Sequence, residues 1–438
     1  MGAVLVIFIF VATYVLIAAR RLSLLPIGRP AGALIGAAAM VALGAITPPW
    51  GLTPAQAFAA VEPNTIGLLF GMMIIAAALE EAGVFERLAA WVARRRLSPA
   101  ALLHAVTVGS GLLSALLVND SVCVMATPLV ARLAQRAGLS RVPYLLALAM
   151  GANAGSALTV AGNPQNMLVA HLSGISYRGY LVEAAPAALL ALAATSATLH
   201  LMLRDRLVAP APLALDAPLA PLAPLAPLAP DAPDAPTADA GAAPRPSPSA
   251  LPAVLCLGGV SLLFALGANL AWTAIGGAAL LMVLRRLDAR PLFERVEWTV
   301  LVFFAALFVV VAALQRTGLP EQALRAAGSL LPSGAAAGVA GLAAVLAVAC
   351  QLVSNVPVIL LAEPWIRAQP DPHLAWLATA LGTTLAGNLT LLGSVANIIV
   401  IESAGAQQEI GFRVYARVGV PVTLTSLATA IGWLLLTR

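Results

Sequence analysis

One acidic residue is out of place in its surroundings. Asp120 lies in Val118-Asn119-Asp120-Ser121, within a stretch that is otherwise apolar. A carboxylate there is costly unless it is protonated, paired or bound to a cation, so the chemistry it offers is exchange of a proton or cation. The competing reading is a structural Asp that caps a helix, with Ser121 sharing the work. A second short polar stretch, Ser354-Asn355-Val356-Pro357, carries an amide and a hydroxyl without the acid.

A longer pattern occurs twice. Residues 158–169 read Leu-Thr-Val-Ala-Gly-Asn-Pro-Gln-Asn-Met-Leu-Val, and residues 389–400 read Leu-Thr-Leu-Leu-Gly-Ser-Val-Ala-Asn-Ile-Ile-Val. Gly, Asn, Pro and Ser inside an apolar run break a helix and free backbone groups, which cost several kcal/mol in lipid when unsatisfied. Such breaks are retained where the freed amides and carbonyls bind something. The candidate polar lining is therefore Asn119, Asp120, Thr159, Gly162, Asn163, Asn166, Ser354, Asn355, Thr390, Gly393, Ser394 and Asn397. For any one of these, a plain hydrogen bond between helices is the alternative.

Other chemistries are poorly served. All 24 basic residues are Arg, which removes Schiff-base and Ser-Lys mechanisms. Cys123, Cys256 and Cys350 have no metal spacing and sit in or beside apolar runs, so neither a disulfide framework nor a metal site is expected. Ligation of a thiophilic solute by Cys123 and Cys350 is conceivable, but small buried cysteines are commoner. His104 and His171 could join a proton path or be structural, and Glu80, Glu81 and Glu183 fall near span ends. Four scattered histidines and one isolated mid-span Asp make no catalytic pair, so an intramembrane enzyme is not expected.

The elements that must hold these residues are set by composition. Of 438 residues 61% are hydrophobic and only 10% charged, too few charges to cover a water-soluble protein. A soluble enzyme, a nucleic-acid binder and a disordered chain are excluded; an all-α polytopic membrane protein remains. About ten spans are expected, at 3–19, 31–47, 64–82, 143–172, 180–203, 251–268, 271–284, 297–315, 374–401 and 419–437, of which 143–172 and 374–401 are broken. Two re-entrant hairpins are expected at 100–133 and 335–366. The first follows from Arg94–Arg96 and Arg132–Arg141, two basic clusters on one side with too little chain between them for two full crossings. In this layout 19 Arg fall on one side and 5 on the other, which makes the first side cytoplasmic and puts both termini outside a cell membrane.

Residues 207–250 form the third feature. A Leu-Ala-Pro run from Leu219 to Pro230 forbids helix and favours a semi-extended cytoplasmic linker, either a tether or a docking segment. It separates 1–206 from 251–438, and the second part repeats the first. Glu62 to Gly83 and Glu297 to Gly318 are both 21 residues apart. Five spans per half reverse the second copy, the inverted-repeat construction of secondary transporters. The two tips and two breaks are then expected to meet near the membrane midplane.

On the Asn119-Asp120 pair, the Gly162-Asn163-Pro164-Gln165-Asn166 run, Ser354-Asn355 and the Leu389-to-Asn397 copy, the chain resembles the ion-transporter superfamily of citrate-transporter-like permeases, near its arsenite-permease and bacterial anion-permease branch. The resemblance spans nearly the whole chain outside the linker. It implies a two-hairpin elevator carrier, often dimeric, for an inorganic or carboxylate anion or for arsenite. Related symporters bind carboxylate and Na⁺ with Ser-Asn-Thr triplets. Ser354-Asn355 matches the first two positions and Val356 departs from the third; Val118-Asn119-Asp120 matches only the Asn.

The expected function is a proton- or sodium-coupled carrier of a small anion or oxyanion. Two forms compete: arsenite efflux in exchange for protons at Asp120, and transport of an inorganic anion or di/tricarboxylate. A Na⁺/H⁺ antiporter and an ion channel are the alternatives. No cofactor is expected beyond Na⁺ as a coupling ion, held by Asn119, Asp120 and Asn355. The chain has no ATP-binding motif, so any pump activity needs a separate ATPase subunit.

Overall fold

The computed structural model describes residues 2–18, 28–207, 249–285, 289–328 and 335–437. Arg20, Arg21, Arg245, Arg286, Arg438 and the Leu219–Pro230 run lie outside the described residues. Before the linker come α1 (Gly2–Ala18), α2 (Arg29–Ile46), α3 (Pro54–Ala60), α4 (Pro63–Glu81), α5 (Val84–Arg94), α6 (Pro99–Leu116), α7 (Asn119–Arg136), α8 (Arg141–Ser156), α9 (Pro164–Ser173) and α10 (Tyr177–Leu203). After it come α11 (Leu251–Ala265), α12 (Leu270–Arg285), α13 (Ala289–Glu294), α14 (Trp298–Gln315), α15 (Leu319–Gly328), α16 (Ala335–Val353), α17 (Asn355–Arg367), α18 (Pro372–Ala386), α19 (Val395–Ser403) and α20 (Phe412–Leu436). Among the described residues there is no strand.

The helix starts are written in the sequence. Pro occupies the first or second position of α2, α3, α4, α6, α9, α11 and α18, where its missing N–H costs nothing. Ser98, Ser176 and Asp371 accept hydrogen bonds from the backbone N–H of Ala101, Gly179 and Leu374. The recurring Glu-to-Gly spacing has a local cause. Glu62 and Glu297 are the residues immediately before α4 and α14, and the chain turns beyond these helices through Gly83 at φ 70° and Gly318 at φ 67°. Both glycines are left-handed, a conformation that a side chain would strain.

Among the described residues five helices, 63–81, 99–116, 177–206, 298–315 and 412–436, are long and apolar enough to cross a membrane, and five shorter apolar ones accompany them. The two parts of the chain interlock: α4 packs on α12, α14 on α2, α10 on α20, α7 on α19 and α17 on α9. One continuous cluster of buried side chains accordingly runs through both.

Several element bounds differ from the sequence reading. The stretch 419–437 is part of a longer helix, α20, which starts at Phe412. The short helices α3, α5, α13 and α15 have no counterpart among the expected spans, because hydropathy windows long enough to find a crossing average them away. In 100–133 and 335–366, α6 and α7 are joined by Leu117 and Val118, and α16 and α17 by Ser354 alone. Leu117 and Val118 are buried, which is where non-helical backbone is tolerated in such a protein.

Candidate functional site

Four chain breaks converge on one cavity of about 130 Å³. It is lined by Asn119 and Asp120 of α7, Ser354 and Asn355 at the start of α17, Pro164 and Gln165 of α9, and Gly393 and Ser394 before α19. Tyr14 of α1 and Phe303 and Phe304 of α14 close its side. The first turns of α7, α9, α17 and α19 all border it, so four helix N-termini bring partial positive charge to one place, although the Asn166 N–H of α9 is already capped by Asn163 Oδ1.

The broken segments are braced by their own asparagines. Asn397 Nδ2 donates to the carbonyls of Gly387 (2.7 Å) and Thr390 (3.1 Å), ten and seven residues back. Asn166 Nδ2 donates to those of Ser156 (3.1 Å) and Thr159 (3.0 Å), at the same two offsets. The carbonyls freed by the break are thus capped from within. Each brace is then tied to the other half of the chain. Thr384 Oγ1 donates to Asn166 Oδ1 (3.0 Å), and Asn153 Nδ2 donates to Asn397 Oδ1 (2.9 Å). Asn163 Nδ2 donates to Thr384 Oγ1 (3.2 Å), and Ser394 Oγ to Asn153 Oδ1 (2.9 Å). Thr159 Oγ1 donates to the Ala115 carbonyl, and Thr390 Oγ1 to Gln351 Oε1.

This network has a direction, fixed at its backbone end. Asn397 spends both N–H groups on carbonyls, so its Oδ1 must accept, and Asn153 Nδ2 supplies the proton. Asn153 Nδ2 also donates to Asn388 Oδ1 (3.0 Å), which leaves Asn153 Oδ1 to accept from Ser394 and from Asn119 Nδ2 (3.1 Å). Asn119 Oδ1 receives none of these donors. That oxygen is buried and has no hydrogen-bond partner among the described residues, and the same is true of Asn355 Oδ1. Beside them, Asp120 is 4% exposed, and its carboxylate takes part in no hydrogen bond or ion pair shown among those residues. The residue preceding α7 is Val118, which provides no side-chain cap, and no cap from Asp120 is seen either. The side chains at the hairpin tips therefore present acceptor oxygens, while the helix ends present donors.

The sequence candidates divide accordingly. Asn119, Asp120, Ser354, Asn355, Gly393 and Ser394 border the cavity. Thr159, Gly162, Asn163, Asn166, Thr390 and Asn397 do not; the five with side chains brace the unwound segments behind it, and Gly162 packs there against the Ser156 backbone. Sequence reasoning missed Asn153, the residue joining Asn119, Ser394, Asn388 and Asn397, as well as Thr384 and Gln351. Cys350 borders the cavity, whereas Cys123 is buried elsewhere. His104 stacks on His200 and His171 lies 3.7 Å from Glu62, so neither histidine borders the cavity. Glu80 pairs with Arg295 and Glu183 with His373. Among the described residues no three His, Cys, Asp or Glu side chains gather to hold a metal ion. For Na⁺, the fitting donors are oxygens: the two unpartnered amide carbonyls and Asp120.

Ser354 bears the strain of the second tip, with φ 75° in a residue other than glycine. Gly162 bears a steric constraint: a Cβ there would lie 2.2 Å from the Ser156 carbonyl oxygen, a backbone atom with little freedom to move. Gly162→Ala is expected to destabilise the protein by roughly 1–3 kcal/mol, read as a lower unfolding temperature of the purified protein in detergent. Farther out, Arg141 at the start of α8 donates to Glu409 and to the carbonyl of Ala404 beyond α19. Hydrogen bonding from Arg141 holds the exposed Glu409 carboxyl below its usual range, so this contact persists at neutral pH and is lost only in acid.

A helical chain with membrane-length segments, whose breaks surround a small cavity of mixed polar and apolar lining, defines a multi-pass membrane transporter. Comparison with known proteins gives the family. The citrate transporter family model, CitMHS, matches residues 14–384, and the chain belongs to that family. It is 32% identical to the silicon efflux transporter LSI3 of Oryza sativa subsp. japonica, over 93% of this chain and 92% of that one. It is 30% identical to an uncharacterized transporter of Mycobacterium tuberculosis (99% and 98%) and 24% identical to the putative transporter arsB of Dictyostelium discoideum (91% and 86%). The crystal structure of the Alcanivorax borkumensis YdaH transporter shares the fold, with a TM-score of 0.54, 16% identity and coverage of 99% and 97%.

Proposed function

We propose that the protein is a secondary carrier of a small, uncharged, hydroxylated oxyacid, of the arsenous or silicic acid kind, moved against a proton or Na⁺ that occupies Asp120. The carrying observation is the polarity of the cavity. Acceptor oxygens of Asn119, Asn355 and Asp120 need hydrogen-bond donors, and the helix N-termini need acceptors. A neutral X(OH)n solute supplies both on every hydroxyl. An anion satisfies the helix ends only and is repelled by ionised Asp120. Among the described residues no Arg borders the cavity to offset that repulsion. The names of the rice and Dictyostelium relatives support the same chemistry.

In this reading the chain makes ten crossings and two re-entrant hairpins, in two inverted halves of five spans each, 1–206 and 251–438. Positive-inside bias puts both termini outside and the linker inside the cell. The pairing of helix with helix across the two halves, and the matched hydrogen bonds of Asn166 and Asn397, support the inversion.

A second reading is a carboxylate symporter, favoured by Ser354-Asn355 and by the four helix ends. There Na⁺ would sit on the acceptor oxygens and the anion on the N-termini. Solute counterflow in proteoliposomes separates the two. Arsenite or silicic acid is expected to exchange and to drive opposite movement of protons or Na⁺. Strict Na⁺ dependence, with exchange of citrate or succinate only, overturns the oxyacid reading.

A further inference from the structure

We infer that the protein carries a binding site for one anionic phospholipid, between α5 and the α6–α7 hairpin. Three observations place it. First, an open crevice of about 80 Å³ runs between α5, α6, α7 and α8, and its lining is apolar apart from Ser110. Phe85, Leu88 and Val92 line it from α5, Leu129 and Leu133 from α7, and Gly109 from α6. The Ser110 hydroxyl is already committed to the Thr107 carbonyl, so nothing polar is offered to an occupant. A Cβ at Gly109 would meet no atom within 4 Å, so the crevice stands open at that residue.

Second, both walls end in arginine. Along α5 the stripe Phe85, Leu88, Val92 continues to Arg95 at the helix end, three residues further on. Along α7 the stripe Leu129, Leu133 continues to Arg136, again three residues further on. Arg94, Arg95 and Arg96 are exposed, and Arg95 lies 4.7 Å over the exposed Trp91 ring.

Third, this positive charge is uncompensated. The sequence contains no Asp or Glu from 87 to 119 or from 121 to 182. The acids on the two walls, Glu86 and Asp120, lie in the first turns of α5 and α7, at the ends opposite the Arg. Among the described residues Arg94, Arg95, Arg96, Arg132 and Arg136 take part in no ion pair shown. An apolar slot whose α5 and α7 walls run on by helical spacing to exposed cations, with the exposed Trp91 ring one turn before Arg95, fits an acyl chain below and a phosphate headgroup above. The occupant is a membrane phospholipid of net negative charge, held by α5, the segment that leads from α4 into the hairpin.

The site is tested by native mass spectrometry of the delipidated full chain, titrated with phosphatidylglycerol, phosphatidylcholine of the same acyl chains, or glycerol phosphate alone. The expected result is one tightly retained phosphatidylglycerol, with weaker retention of phosphatidylcholine and none of glycerol phosphate. The double variant Arg95→Gln, Arg136→Gln is expected to bind phosphatidylglycerol roughly 30-fold more weakly, at about a fivefold loss per surface cation. Gly109→Leu, which fills the slot without changing charge, is expected to reduce retention of the lipid by at least tenfold. Equal retention of the two lipids, unchanged binding in either variant, or equal binding of glycerol phosphate overturns the inference.

Discussion

Asp120→Asn is expected to lower coupled transport at least 100-fold while the protein still inserts and purifies as a folded species. Asn preserves the volume and one acceptor oxygen, puts an NH₂ donor in place of the other, and cannot exchange a proton at neutral pH. Asp120 is the one Asp or Glu that borders the cavity among the described residues. Folding is not expected to suffer, because burying a carboxylate at such a depth costs about 2.5–3.5 kcal/mol and the amide avoids that cost. The measurement is the initial rate of proton-driven uptake in proteoliposomes, set beside unfolding temperature in detergent. A rate within twofold of wild type removes Asp120 from the coupling mechanism.

Asn153→Leu is expected to cause the largest loss of stability. Its side chain makes four hydrogen bonds, to Asn119, Ser394, Asn388 and Asn397. All four partners are polar groups that leucine would leave unsatisfied, at about 1 kcal/mol or more each. The expected cost is roughly 3–6 kcal/mol, with transport lost even in the fraction that remains folded, because Asn119 and Ser394 lose their common anchor. Thr384→Val is the matched control in the other half. Thr384 accepts from Asn163 and donates to Asn166, so its loss is expected to be smaller, roughly 1–3 kcal/mol. Thermal unfolding of both variants checks the order; a Thr384 effect equal to or greater than that of Asn153 contradicts the hub.

Much of this arrangement was legible in the residues. The two Leu-Thr-x-x-Gly copies mark the unwound segments, and Asn119-Asp120 and Ser354-Asn355 mark the tips, because short polar residues in an apolar run have few other uses. Their division of labour was not legible. Asn166 and Asn397 read as lining because a polar side chain in a broken helix suits a solute as well as it suits the freed carbonyls beside it. Only the offsets of ten and seven residues, equal in both copies, could have hinted at bracing. Asn153 was missed for a different reason: it lies in an Ala- and Gly-rich stretch, and its partners Asn388 and Asn397 are 235 and 244 residues away. Helix α5 escaped because its Arg and Glu cancel its Phe, Leu and Trp in a long hydropathy window.

The central claim is spatial: the first hairpin tip and the broken helix of the opposite half face one cavity. Paired cysteines test it most directly. In a chain with Cys123, Cys256 and Cys350 replaced by Ala, Asn119→Cys and Ser394→Cys are introduced together, and a protease site is placed in the linker. Asn119 and Ser394 donate to the same Asn153 oxygen, so a short bifunctional thiol reagent is expected to join the two halves after cleavage. The transported solute is expected to slow that reaction. Thr198→Cys with Thr425→Cys, whose hydroxyls are 2.9 Å apart across the halves, serves as the positive control. Halves that separate in the test pair while the control pair stays joined would contradict the account.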